Sequence, residues 1–207
     1  MRALVVGLAL AACTLCACTV ERRPEGIATT DNFDRATLGD AWKTDSAVYR
    51  ITNGELVVAK AYNHPLWLTR ALPKDAIIEV DAWSNDDAGD IKIEAWGDGK
   101  SSAKAATYNA TSYVFIFGGW HNQISAIARM EEHGADRKTR TDVKVKKGQK
   151  YHFRIERKGG HIDWQVDGQP FLTFDDPAPL DGIGHSYLGI NDWEAELHFD
   201  NLKITPL

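Results

Sequence analysis

Beyond residue 18 the sequence has no cysteine: Cys13, Cys16 and Cys18 stand together near the front. That excludes a disulfide-stapled fold, a thiolate nucleophile and a cysteine zinc site from the main body, whose stability must come from a packed core. No apolar run after residue 20 is long enough to cross a membrane as a helix. Positive charge is also in short supply, with 24 Lys and Arg against 29 Asp and Glu and a net charge of −5, which argues against nucleic acid as a partner. The basic residues that do cluster, from Arg137 to Lys150, alternate along a strand and turn and read as a solvated face. A nucleophile elbow, a Walker loop, a dinucleotide fingerprint and an H-E-x-x-H zinc pattern are all missing. What remains, 207 residues of which 43% are hydrophobic, suits one globular domain with a short appendage, read as a monomer.

The front of the chain reads as a targeting segment. Met1-Arg2 is a short positive region, and Ala3–Ala12 is apolar over signal-peptide length. The following LAACTLCAC places small residues before a cysteine and resembles the bacterial lipobox, in which the thiol is acylated and becomes the new N-terminus. Cys18 gives the more usual leader length; Cys13 is the alternative. Residues 1–17 are then a lipoprotein signal peptide, 18–30 a lipidated cysteine with a polar tether, and 31–207 the folded domain. Several acyl chains anchor a protein stably where one does not. The expected location is the cell envelope, outside the cytoplasm, and the outer membrane if the cell has one, because Thr19 rather than aspartate follows Cys18.

The folded part reads as strands joined by tight turns. Gly159-Gly160 and Asp167-Gly168 separate short apolar or alternating segments, the pattern of β-hairpins, and predict strands at Tyr151–Arg157, His161–Val166 and Pro170–Phe174. Further strands are expected near Tyr187–Asn191 and Glu196–Ile204. Upstream, Asn53-Gly54 marks another hairpin, and strand-like runs recur at Leu66–Ala71, Ala76–Trp83, Ile91–Trp96, Tyr113–Phe117, Ile124–Met130 and Asp142–Val145. Many short strands at regular spacing indicate a sandwich or barrel. Ser101–Ala110 reads equally as a helix or a surface loop.

Two blocks carry a family likeness. HFRIERKGGHIDWQVDGQPF followed by FDNLKI, with DNFDRATLGDAW and YRITNGELVV near the front, resembles concanavalin A-like jelly-roll domains. Laminin-G-like proteins, family 16 glycoside hydrolases and relatives of 3-keto-disaccharide hydrolases are the nearest groups. The resemblance implies an all-β sandwich of two antiparallel sheets over residues 31–204, with its first and last strands adjacent; of the seven tryptophans, Trp42 and Trp164 are expected as core anchors. It transfers no catalytic set. Glu79-Val80-Asp81 has the start of the family 16 signature E-x-D-x-x-E, but Ser84 stands where the third acid belongs, and the pair reads as the solvent face of a strand.

Candidate site residues come from several segments. Asp90–Trp96 alternates, placing Lys92, Glu94 and Trp96 on one face; there a ring can stack on a pyranose while an acid accepts hydroxyl hydrogen bonds. The bland alternative is a surface Lys92–Glu94 ion pair with a partly buried Trp96. Trp120 and His121 follow two glycines in a turn, and Arg129, Glu131, Glu132 and His133, at and just beyond the end of the next strand, could meet them. His64 and Trp67 flank Pro65, and Trp193 lies in the last block. A glycan site built from His64, Trp67, Glu94, Trp96, Trp120, His121, Arg129, Glu131 and Trp193 suffices for recognition. A glycan hydrolase or 3-keto-glycoside hydrolase needs two converging carboxylates, for which Glu94 and Glu131 are the candidates. A structural envelope protein without a small ligand is the third reading. No cofactor is required; Asp31, Asp34 and Asp200 could share a calcium ion between the terminal strands.

If Cys18 is the acylated residue, Cys18→Ala abolishes lipid labelling and releases the protein from membranes, while Cys13→Ala changes little; loss of label in the Cys13 variant alone would move the cleavage site.

Overall fold

The computed structural model describes residues 26–103 and 108–207. Both lipidation cysteines lie outside the described residues. Within them the chain forms two antiparallel sheets. The first takes β1 (Thr29–Asp31), β3 (Arg50–Thr52), β4 (Glu55–Val58), β6 (Ala76–Ser84), β11 (Tyr151–Lys158), β12 (His161–Val166), β13 (Gln169–Asp175) and β15 (Leu197–Pro206). The second takes β2 (Trp42–Lys43), β5 (Leu66–Leu68), β7 (Ile91–Gly97), β8 (Tyr113–Gly118), β9 (Ile124–Arg129), β10 (Lys138–Arg140) and β14 (Tyr187–Asn191). Their orders are β13-β12-β11-β6-β15-β4-β3, with β1 added beside β15, and β10-β9-β8-β7-β14-β5-β2. The fold is the expected concanavalin A-like jelly-roll sandwich.

Alternation builds the core. Along β11, Tyr151, Phe153 and Ile155 are buried while His152 and Lys158 are exposed, as period-two side-chain placement requires. Trp164 of β12 is fully buried and meets Phe115, Phe153 and Phe171 edge-to-face at 5.7, 5.4 and 4.7 Å between centroids, the geometry that aromatic quadrupoles favour. Trp42 is also buried and donates its indole N–H to Asp31 at 2.7 Å.

The last strand clasps the first ones. Thr29–Asp31 pairs with Leu202–Ile204, and Leu56–Val58 pairs with Leu197–Phe199. A bulge at Asp200-Asn201, with Asn201 at φ 53°, shifts the alternation so that Leu202 and Ile204 still point inward after Leu197 and Phe199. The folded domain thus begins at least two residues before the expected boundary at 31, because Thr29 and Thr30 already belong to a strand rather than a tether.

One other local reading is corrected. Asp142–Val145 is not a strand; the nearby strand is Lys138–Arg140. Asp142 instead pairs with Arg140 at 2.7 Å, and Val145 is held at its N–H and carbonyl by the Asn122 amide at 2.8 and 2.7 Å rather than by a ladder. The described parts of Ser101–Ala110 contain no helix.

Each predicted hairpin is present. The β12–β13 turn holds Asp167 at φ 52° and Gly168 at φ 71°, the paired positive φ of a two-residue hairpin loop. Space around Gly168 is open, so a substitution there reports backbone cost alone. Gly168→Val should destabilise the domain by about 1–3 kcal/mol, read as a lower denaturation midpoint; an unchanged midpoint would contradict the left-handed turn.

Candidate functional site

The outward face of the seven-stranded sheet carries the site. Pairing across the ladder sets Trp67, Gly189, Glu94, Val114 and Ala128 in one row, and Asn191, Lys92, Ile116 and Ala126 in the next. Glycine at 189 makes room for the Trp67 ring, since a Cβ there would lie 2.9 Å from it. Lys92 and Glu94 are not at the surface despite facing out: they are 3% and 0% exposed. Loops close over them and satisfy their hydrogen bonds, as a buried charge demands. Glu94 accepts from the Tyr108 hydroxyl at 2.9 Å, the Ser112 hydroxyl at 2.6 Å and the Asn191 amide at 2.6 Å. The Lys92 ammonium donates to Asn63 at 2.9 Å and to Glu132 at 3.1 Å.

One ammonium serves several carboxyl groups, and their ionisation reflects it. Burial would push the Lys92 ammonium down, but Asp90 and Glu132 outweigh it and hold the group above its ordinary value. Burial pushes Glu94 up against the pull of its donors and of Lys92. It pushes Asp90 up as well, opposed chiefly by Lys92. Asp192, just after β14, is fully buried; burial, aided by the Asp90 charge, raises its carboxyl to about 7 despite the Ala61 N–H that it accepts at 3.1 Å. Its other oxygen has no hydrogen-bond partner.

Above this network opens a cleft of about 660 Å³. Lys92 and Ile116 lie at its floor. Glu131, Glu132 and His133 come from the loop after β9, and Trp193, Glu194 and Ala195 from the loop after β14; Asn63, Ala88, Asp90, Tyr108 and Asn109 complete the lining with Trp120 and His121. The latter two come from a four-residue helical turn, Gly119–Asn122, in which Trp120, His121 and Asn122 have φ of 52°, 58° and 60°. Left-handed backbone costs about 1–2 kcal/mol per non-glycine residue, and the Asn122 clip on Val145 is what holds it. The Trp120 ring meets His133 edge-on at 5.5 Å and the Arg137 guanidinium at 4.8 Å. Trp193 is 44% exposed and meets Tyr62 edge-to-face at 5.2 Å; its backbone N–H donates to Asp90 at 3.1 Å.

Of the residues expected at the site, Trp120, His121, Glu131 and Trp193 line this one cleft. The others do not. Trp96 is in the core, 0% exposed, with its indole N–H on the Pro73 carbonyl at 2.9 Å. A bulge explains the miss: Tyr187 pairs with Gly97 but Leu188 with Ala95, and Trp96, at φ 59°, turns inward. Arg129 lies on the core side beside Tyr113 and pairs with Asp176 at 2.8 Å. His64 bonds to Asp45 at 3.0 Å, and Trp67 is buried against a separate hollow of about 200 Å³. Glu94 is sealed beneath the cleft with both oxygens engaged, which removes it as a hydrolytic acid or nucleophile, and it is not a surface ion pair either.

Glu79 and Asp81 sit on the outer face of the other sheet, where His152 meets Asp81 at 2.8 Å and Lys203 meets Glu79 at 3.2 Å. The expected calcium ligands do not form a set. Asp31 is taken by the Arg35 guanidinium at 2.6 and 2.8 Å, Asp34 by the Asn32 amide, and Asp200 by Asn201. Among the described residues no group of three acidic, histidine or cysteine side chains is placed to hold a metal ion. The sequence reading missed Asn63, Asp90, Tyr108, Asn191 and Asp192 as parts of the site. Only the outward position of Lys92 on β7 hinted at them.

The family described as "Farnesoic acid 0-methyl transferase" matches residues 89–203, from just before β7 into β15. No curated protein matches the chain. Similar solved structures include a Bacillus licheniformis β-glucanase, at TM-score 0.64 and 12% identity, covering 88% of this chain and 99% of that one. A carbohydrate-binding module from Bacillus subtilis aligns at TM-score 0.56 and 18% identity over 83% and 98%. A laminarinase from Flavobacterium sp. UMI-01 aligns at 0.58 and 10% over 85% and 98%. At these identities the likeness establishes the fold.

Asp192 gives this cluster a pH signature. Its proton is held in the fold to about pH 7 but leaves near its ordinary value of 3.8 once unfolded. The native state therefore binds the extra proton between those values, and its contribution to stability is lost as pH rises through the folded pKa. Comparing denaturation midpoints at pH 5 and pH 8, Asp192→Asn should gain on the wild type at the higher pH. A difference independent of pH would refute the raised pKa.

Proposed function

The chain belongs to the family described as "Farnesoic acid 0-methyl transferase", and from its fold and its cleft we propose that it is a glycan-binding domain, carried outside the cytoplasm on an N-terminal lipid anchor. The observation that carries this reading is the cleft itself: Trp120 and Trp193 line it together with several polar side chains within about 660 Å³, a size typical of small-ligand sites. Indole rings offer apolar faces for the C–H side of a pyranose, and Glu131, Glu194, His121 and Asn109 offer acceptors and donors for its hydroxyls. The β-glucanase, laminarinase and carbohydrate-binding module that share the fold make glycan the favoured ligand class. Fold alone does not assign activity, so the weight rests on the lining.

Binding is preferred to hydrolysis because Glu94 is enclosed. The hydrolase reading keeps one supporting feature: Asp90, pushed up by burial, and Glu131 line the same cleft, and glycosidases pair a protonated with an ionised carboxyl group. Methyl transfer, which the family description names, draws no support from this cleft. The described residues form no strand, glycine-rich turn and helix unit of the kind that seats nucleotide-bearing cofactors.

The test is a glycan array on the full-length protein, followed by prolonged incubation and product analysis of each hit. Binding without product is expected, with Trp120→Ala and Trp193→Ala each weakening it about tenfold. Product formation that Glu131→Gln abolishes would replace binding by hydrolysis, and silence across the array would favour a structural envelope role.

A further inference from the structure

Resting on the glycan reading of the cleft, we propose that its preferred sugar is cationic: an amino sugar with a free ammonium, held by the carboxylates of the wall while its ring lies against a tryptophan. The charges facing the cavity are unequal. Asp90, Glu131, Glu132 and Glu194 line it, and Lys92 is the one lysine among the lining residues. Lys92 is spent, since its ammonium is 3% exposed and already bonded to Glu132 and Asn63. It has no charge left to offer a uronate or sialate. The nearest guanidinium, Arg137, lies over the Trp120 ring and donates to the Glu132 carbonyl at 2.7 Å.

Among the described residues no cation left free beneath the cleft relieves the field. Glu94 is buried beneath the same ammonium and takes its own hydrogen bonds from Tyr108, Ser112 and Asn191, so the negative charge that a ligand meets is that of the wall. Four carboxyl groups stand in the lining against Lys92 and the two imidazoles of His121 and His133, and a cavity in which acidic groups predominate concentrates cations. Glu131 and Glu194 are exposed at the mouth, where Glu131 does no more than cap its own loop through the His133 N–H at 3.0 Å. Beside Glu194, Trp193 and Tyr62 are 44% and 41% exposed. An aromatic pair next to carboxylates suits an ammonium, which ring faces attract as well. A neutral sugar would offer these carboxylates hydroxyl donors but no opposite charge, and a hydrogen bond to a charged donor contributes more.

The experiment uses the full-length protein in detergent at pH 6, titrated by calorimetry with a tetramer of β-1,4-linked glucosamine and with its fully N-acetylated counterpart. The free amine should bind at least about tenfold tighter, the worth of a charge-assisted hydrogen bond. That ratio should shrink as salt is raised from 0.05 to about 0.5 M, and Glu131→Gln combined with Glu194→Gln should bring the two affinities together. Equal or tighter binding of the N-acetylated tetramer overturns the cationic proposal and leaves the glycan reading standing. If neither tetramer binds but neutral glucan oligomers do, the outcome is the same. If no saccharide binds, the glycan reading falls and this proposal falls with it.

Discussion

A lysine side chain enclosed by carboxyl groups is the constraint around which the site is organised. Moving an ammonium out of water is costly, and removing one partner of such a group typically costs about 3–5 kcal/mol. The partners of Lys92 come from separate parts of the chain: Asn63 precedes β5, Asp90 precedes β7 and Glu132 follows β9. Holding that one charge therefore fixes three loops at once. Those same loops form part of the cleft wall, so part of its shape is a by-product of electrostatic satisfaction on the sheet beneath.

Aromatic presentation depends on the same economy of distant supports. Trp120 and His121 stand in a left-handed turn that is costly for a tryptophan, and Asn122, bolted to Val145 across 23 residues, holds it. Trp193 is set by its N–H on Asp90, which itself answers to Lys92. Both indoles are thus tied to neighbours that are rigid for reasons unrelated to any ligand. Such preorganisation lowers the cost of ordering on binding.

The sheets were legible in the sequence because hairpin chemistry is local. Asp167-Gly168 and Asn53-Gly54 fix their turns by φ, and alternation along β11 fixes which face is buried. Bulges broke that logic where they occurred. Trp96 reads as outward by parity with Lys92 and Glu94, yet one extra residue opposite Tyr187 and Leu188 turns it into the core. Lys92 and Glu94 were placed on the correct face, but their enclosure was invisible, since Tyr108, Asn191 and Glu132 close over them from 14 to 97 residues away. Asp192 gave no signal at all: a carboxyl one residue past a strand looks like any turn acid until its burial is known.

The position of β1 has a mechanical meaning. The chain enters the domain through Thr29–Asp31, a strand that pairs with β15 alone and through three residue pairs. That ladder belongs to the sheet opposite the cleft. A pull on the N-terminal side would load those few hydrogen bonds first, and peeling β1 away leaves Lys92, its partners and both indoles untouched. The domain is built to surrender a strand under tension before it surrenders its cavity.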